Sequence, residues 1–125
     1  MTDRRRTGGA ERETPELRRL RRRIDALDRR IVAIFNERAS LGREVGRAKS
    51  AAGWRAVRDA DRERDVLLRV AMANGGPMPQ ADLLAIYRRL IAATRALEGA
   101  DRRRERAEHT ARTARVTRAE PDGSR

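Results

Sequence analysis

Residues 17–49 read LRRLRRRIDALDRRIVAIFNERASLGREVGRAK, and this stretch decides the fold. Apolar side chains recur along it at alternating intervals of three and four residues, which places them on one side of an α-helix. They are Leu17, Leu20, Ile24, Leu27, Ile31 and Ile34, followed by Leu41, Val45 and Ala48. Because the stretch contains no proline, we expect one continuous helix.

The length of this helix indicates a partner. At about 1.5 Å per residue, a helix of this stretch is about 50 Å long. A compact domain of about 100 residues has a radius of gyration of only about 13 Å. One small chain can hardly cover such a helix, so we infer a second chain.

Start and stop signals predict the ends of the first two helices. Thr14-Pro15-Glu16 is typical of a helix start, with Thr14 as the N-cap. A connecting loop is expected over residues 50–57, with Trp54 and Val57 folding back on the helices. Asp59 or Asp61 then caps a second helix that ends at residue 72 or 73.

A third helix is expected over residues 80–101, after a break that contains Asn74-Gly75-Gly76 and two prolines. The predicted organisation is therefore all-α, with three helices in one domain over residues 15–101. Residues 1–14 are expected to form a disordered arm, and residues 102–125 a basic, disordered tail.

Two cations interrupt the apolar side of the long helix. The alternation calls for an apolar residue at position 38, where the chain has Arg38, and Lys49 emerges almost three turns later from nearly the same side. A guanidinium facing a core costs several kcal/mol unless an anion meets it. Either Arg38 reaches out to solvent or to a neighbouring acid, or the helices enclose an anion-binding pocket.

Polar residues also continue the apolar stripe of the third helix, at Thr94 and Glu98. A carboxylate there needs a partner, and the alternatives are a buried site or a surface bridge from Glu98 to Arg102. On the second helix, Asp59, Arg62 and Glu63 share one face. They form either part of a site or a helix cap with exposed ion pairs.

Composition narrows the function classes. The chain has 31 basic and 19 acidic residues, a formal net charge of +12, which suits a nucleic-acid, membrane or small-anion partner. The absence of cysteine excludes thiol catalysis, and one histidine, His109, argues against a histidine-based metal site. Without a membrane-length apolar run or a hydrophobic leader, we expect a cytoplasmic protein that does not associate with membranes.

Four segments together resemble the all-helical chorismate mutases. They are IDALD at residues 24–28, ERASL at 37–41, EVGRAK at 44–49 and VRDADRER at 57–64, and the last is the most specific. The resemblance spans about residues 16–100. It implies an intertwined helical homodimer of three-helix chains in which the long first helices span both active sites.

The resemblance also implies how the cations act. Arg38 would bind a carboxylate of chorismate, and Arg21 from the other subunit would bind one too. Lys49 would contact a carboxylate and the ether oxygen.

On the remaining sides of the substrate, Glu63, together with the backbone near Asp59, would hold the ring hydroxyl, supported by Arg62. Thr94 would lie near a carboxylate. Glu98 stands where many members have a glutamine that donates to the ether oxygen, so it must be protonated to help.

The implied reaction is the Claisen rearrangement of chorismate to prephenate, which needs no cofactor and no metal. An isochorismate-pyruvate lyase or a 4-amino-4-deoxychorismate mutase on the same scaffold is the alternative. A basic helical nucleic-acid-binding protein is a more distant alternative, since it does not explain why Arg38 and Glu98 lie on the apolar sides of their helices. We expect no nucleic-acid partner, and a separate enzyme could supply regulation.

Overall fold

The structure is a computed structural model that describes residues 12–55 and 58–119. These residues form three helices and no strand: α1 (Pro15–Ala51), α2 (Ala60–Ala73) and α3 (Gln80–Ala119). The predicted all-α, three-helix class is confirmed for this part of the chain. The predictions for residues 1–11, for Val57 and for residues 120–125 lie outside the described residues.

The chain divides into two units, Met1–Glu37 and Arg38–Arg125. In the first unit α1 begins as predicted, because the backbone N–H of Leu17 donates to Oγ1 of Thr14 at 3.1 Å. The large apolar side chains that follow Leu17 remain about half exposed to solvent, from 38% for Phe35 to 58% for Val32. This side of α1 therefore has no covering surface within its own unit.

In the second unit α1 ends at Ala51, and Gly53, two residues later, has a φ of +85°, in the left-handed region that favours glycine. The N–H of Trp54 donates to the carbonyl oxygen of Lys49 at 2.9 Å, and the N–H of Gly53 donates to the carbonyl oxygen of Ser50 at 3.1 Å. These bonds satisfy carbonyls of the last turn. The glycine thus turns the chain away four residues after Lys49. Trp54 itself is half exposed.

Asp59 is the N-cap of α2, which settles the choice between Asp59 and Asp61. Its Oδ1 accepts from the backbone N–H of Arg62 at 3.0 Å. The helix ends at Ala73, within the predicted limits.

The third helix is longer than predicted. We expected it to end at Asp101, with a disordered tail from Arg102, but α3 continues to Ala119. Residues 102–119 contain neither glycine nor proline and are rich in alanine, arginine and glutamate, which favour helix. The loss of apolar periodicity ends the buried face of α3 without ending the helix. Nothing among the described residues is long and apolar enough to cross a membrane.

Close packing of α1 against α3 depends on two glycines. A Cβ atom at Gly42 would meet the Cγ2 methyl of Thr94, and one at Gly46 would lie 2.9 Å from Cγ of Glu98. Gly46, Thr94 and Glu98 are buried. The glycines therefore let two polar side chains of α3 approach the backbone of α1.

We expect Gly42→Ala to destabilise the protein by about 1–2 kcal/mol. Overpacking costs about 1–3 kcal/mol, and the better helix propensity of alanine offsets only about 0.5–1 kcal/mol. The measurement is equilibrium urea unfolding followed by circular dichroism.

Gly99→Ala is the matched control, because a Cβ there meets only Nη1 of Arg103, at 3.6 Å. It should be stabilising, by about 0.5–1 kcal/mol. If both variants gain stability equally, the close approach at Gly42 is refuted.

Candidate functional site

A cavity of about 240 Å³ lies among the second half of α1, the start of α2 and the middle of α3. On α1 its lining residues recur at intervals of three or four positions, with Leu41 and Gly42 adjacent, so they share one helix face. The lining consists of Arg38, Leu41, Gly42, Val45 and Lys49 from α1, Asp59, Arg62, Glu63 and Val66 from the start of α2, and Ile91, Thr94, Arg95 and Glu98 from α3.

The structure brings seven of the eight predicted site residues to this cavity. They are Arg38, Lys49, Asp59, Arg62, Glu63, Thr94 and Glu98. The eighth, Arg21, lies in the first unit of the chain, where its Nη1 donates to Oε1 of Glu13 at 3.1 Å. The roles assigned to all eight stay predictions.

Arg38 is half-buried and contacts a neutral partner. Its Nη1 lies 3.5 Å from Oγ1 of Thr94, a long hydrogen bond, and that hydroxyl donates to the carbonyl oxygen of Leu90 at 3.0 Å. Because the threonine hydroxyl carries no charge, it does not neutralise the guanidinium. A cation half-buried at a cavity wall favours an anionic ligand.

Glu98 is buried, with 8% of its surface exposed. Burial raises the pKa of its carboxyl, because desolvation disfavours the charged form; the positive charges of Lys49 and Arg102 oppose this shift. The negative charges of Asp101 and Glu63 add to it. The net direction is upward, so Glu98 keeps its proton to a higher pH than an exposed glutamate.

Of the two alternatives for Glu98, the structure has the buried one and not a surface bridge to Arg102. Both side chains are buried, and Nη1 of Arg102 donates to the carbonyl oxygen of Trp54 at 2.9 Å. The Nε and Nη2 atoms of Arg102 have no hydrogen-bond partner among residues 12–55 and 58–119. Arg102 therefore acts on Glu98 through its charge.

Lys49 is the single lysine among the 31 basic residues of the chain. Its Nζ lies 5.5 Å from the centre of the Trp54 ring, a cation–π distance. An ammonium is a compact point charge, whereas a guanidinium is a planar fork suited to carboxylates. The use of lysine at this one position can be read from the sequence. It indicates that residue 49 binds a single acceptor atom rather than a pair of oxygens.

Of the three charged residues at the start of α2, Asp59 and Arg62 form the helix cap and the exposed ion pair that the sequence offered as one alternative. Asp59 caps α2, and Nη1 of Arg62 donates to Oδ2 of Asp65 at 3.1 Å on the exposed side. Glu63 differs. It is half-buried and its Oε1 accepts from Nη1 of Arg95 at 2.6 Å, while its Oε2 lies 3.7 Å from Nε of Arg58.

Sequence reasoning missed Arg95. It follows Ile91 by four residues and precedes Glu98 by three, so it continues the same spacing as the apolar stripe. The sequence therefore allowed Arg95 to be recognised as a polar residue on the apolar stripe of α3, next to Thr94. Its pairing with Glu63 could not be predicted.

An ion pair next to the cavity ties α1 to α3. Nε and Nη2 of Arg43 donate to the two carboxylate oxygens of Asp101, both at 2.9 Å, and Arg104 also donates to Asp101. The hydrogen bond from Arg43 lowers the pKa of Asp101 to about 2. Asp101 follows Glu98 by less than one turn, so this bidentate pair supports the position of Glu98.

Comparison with known proteins agrees with this geometry. Residues 20–99 match the sequence model of the family described as chorismate mutase type II. The chain belongs to the type II chorismate mutase family. The resemblance seen in the sequence is thereby confirmed.

Two bifunctional chorismate mutase/prephenate dehydratases are among the similar proteins. That of Aquifex aeolicus is 38% identical over 87 residues, which cover 66% of this chain and 24% of the relative. That of Escherichia coli is 51% identical over 51 residues, which cover 41% of this chain and 13% of the relative. The chain thus spans about a quarter or less of the length of these relatives.

A solved chorismate mutase from Thermus thermophilus (form II) has a similar fold. The two structures superimpose with a TM-score of 0.64 at 27% sequence identity. The match covers 67% of this chain and 94% of the other.

Proposed function

We propose that this chain catalyses the rearrangement of chorismate to prephenate. The observation that carries the proposal is a cavity in which Arg38, Lys49 and a buried Glu98 converge, in a chain of this family. The reaction is an intramolecular isomerisation. One C–O bond of the ether breaks while one C–C bond forms, and no atom is gained or lost.

Positioning is the first contribution to catalysis. Chorismate carries two carboxylates, and its reactive shape is a compact one that brings the two bond-forming carbons together. Arg38 would hold one carboxylate by a charge-assisted hydrogen bond, close to the hydroxyl of Thr94. Fixing the dianion in this shape removes rotational freedom before the reaction begins.

Stabilisation of charge on the ether oxygen is the second contribution. As the C–O bond breaks, negative charge develops on that oxygen. Lys49 and a protonated Glu98 line the same cavity and would both donate to it. Burial, which raises the pKa of Glu98, supports the protonated state that this role needs.

The ring hydroxyl would meet Glu63. A carboxylate accepts at several lone pairs, so one Glu63 can accept from both Arg95 and a hydroxyl. The names of the bifunctional relatives pair chorismate mutase with prephenate dehydratase. That pairing supports prephenate as the product, and it supports a partner enzyme that acts on prephenate.

We further propose that two copies assemble, with Arg21 of one chain completing the site of the other. No apolar side chain is buried among residues 12–55 and 58–119. The exposed stripe of α1 includes Leu27, Ile31 and Leu41, each between 45% and 56% exposed. Burying such a stripe against an identical one is strongly favourable, at about 25 cal/mol per Å².

Purified protein should convert chorismate, and it should act less well on isochorismate and 4-amino-4-deoxychorismate when each is followed separately. Lys49→Ala should lower kcat for chorismate by about 100-fold or more, since removal of one oxyanion donor costs about 3 kcal/mol.

Arg47→Ala is the control for that variant, because Arg47 is exposed on the same helix. It should retain activity. A loss of less than tenfold in Lys49→Ala would refute the role of Lys49, and no turnover of chorismate by the wild type would refute the function.

Activity should fall as pH rises through the pKa of Glu98. Only the protonated carboxyl donates, so kcat/KM should decline by about tenfold per pH unit above that pKa. Glu98→Gln donates at every pH and should flatten the profile. The measurement is kcat/KM from pH 5 to 9 for both proteins, and a flat wild-type profile contradicts the prediction.

Mixing two inactive variants tests the shared site. Arg21→Ala and Lys49→Ala, unfolded together and refolded, should regain about a quarter of wild-type activity. Half of the random dimers are mixed, and each mixed dimer has one intact site of two.

Lys49→Ala mixed with Glu98→Ala is the control, because both residues come from one chain and every mixed site stays defective. Recovery in the control, or none in the test pair, would contradict an Arg21 supplied across the interface.

A further inference from the structure

We infer that Arg95 determines substrate specificity, by making the site select a neutral ring substituent over a ring ammonium. The inference rests on the proposed function, because it concerns the side of the cavity that would face the ring. Arg95 lines the cavity between Thr94 and Glu98 on α3.

The geometry makes Arg95 and Glu63 a close ion pair. Nη1 of Arg95 lies 2.6 Å from Oε1 of Glu63, with 33% and 21% of the two side chains exposed. Nε of Arg58 lies 3.7 Å from the other carboxylate oxygen, but Arg58 is 67% exposed. Water screens Arg58 more strongly, so Arg95 is the main counter-charge of Glu63.

This counter-charge changes what Glu63 can attract. An isolated carboxylate at the ring position would prefer an ammonium, which offers a charge-assisted hydrogen bond. With Arg95 paired to it, the local charge is balanced, and an added ammonium meets the repulsion of the guanidinium. A hydroxyl carries no charge, so it still donates to a free lone pair of Glu63 without that repulsion.

Arg95 therefore acts by disfavouring the wrong substrate as well as by orienting Glu63. Two of the remaining cations of the cavity, Arg38 and Lys49, cannot discriminate in this way, since they would meet the carboxylates and ether oxygen that all these substrates share. The third, Arg62, is 60% exposed and pairs with Asp65 at 3.1 Å, so water screens its charge more than that of Arg95. A repulsive element of this kind is one of the two ways in which a site discriminates between substrates, the other being better contacts to the right one.

The experiment compares chorismate with 4-amino-4-deoxychorismate, whose ring amino group is protonated at neutral pH. For wild type and Arg95→Met, kcat/KM is measured for both compounds at pH 7. Where the amino compound is not turned over, its inhibition constant against chorismate is measured instead. Arg95→Met should shift the preference by at least about tenfold towards the amino compound.

Three variants separate this role from a structural one. Arg95→Lys keeps the positive charge and should keep the wild-type preference. Arg89→Met removes an exposed arginine of the same helix and should change neither substrate. In the Glu63→Gln background, Arg95→Met should shift the preference towards the amino compound by less than it does with Glu63 present, because the repulsion of the guanidinium is still relieved but no carboxylate remains to attract the ammonium. If Arg95→Met does not fold, Arg95→Gln replaces it.

Two results would overturn the inference while leaving the proposed function intact. Equal losses of kcat/KM for both compounds would mean that Arg95 binds a shared carboxylate. An unchanged preference at normal activity would mean that Arg95 has no part in selection. Failure of the wild type to convert chorismate would instead refute the proposed function.

Discussion

The close contact of α1 with α3 at Gly42 and Gly46 is the constraint on which the site depends. Because neither glycine has a side chain, Thr94 and Glu98 can pack against the backbone of α1 and become buried. A larger residue would push α3 away and open the cavity to water. The same contact that places Glu98 also desolvates it, so position and pKa have one physical origin.

Charge in this chain is divided between two kinds of cation. Thirty of the 31 basic residues are arginines, and Lys49 is the exception. The planar guanidinium of arginine can hold two oxygens at once, as Arg43 holds the two carboxylate oxygens of Asp101. A lysine suits a single oxygen atom. The net charge of +12 therefore says less about function than the position of its one ammonium group.

Much of the fold could be predicted because it follows from local rules. Apolar spacing and the Thr14 cap predicted the start of α1, while for α2 the sequence left the cap open between Asp59 and Asp61, and the structure has Asp59. The end of α3 could not be predicted from the same signal, because an exposed helix of arginine and alanine needs no apolar face. Interruptions of the apolar pattern at Arg38, Thr94 and Glu98 located most of the cavity.

The partners of charged side chains were the part that could not be predicted. Glu63 pairs with Arg95, 32 residues away, and Arg102 bonds to the backbone of Trp54 rather than to Glu98. A long charged side chain can reach several partners, and packing between helices decides which one it meets.

The proposed assembly and the cavity depend on the same helix, α1. The buried residues of the described ranges are Gly46, Thr94, Glu98 and Arg102, and none of them is a large apolar residue. Burial of polar groups alone does not stabilise a fold, because each group gives up its hydration. Exposed apolar area lies on the stripe of α1, and also on α2 and α3 at Leu68, Met72 and Ile86. The second copy proposed above would cover the stripe of α1, the helix that also lines the cavity.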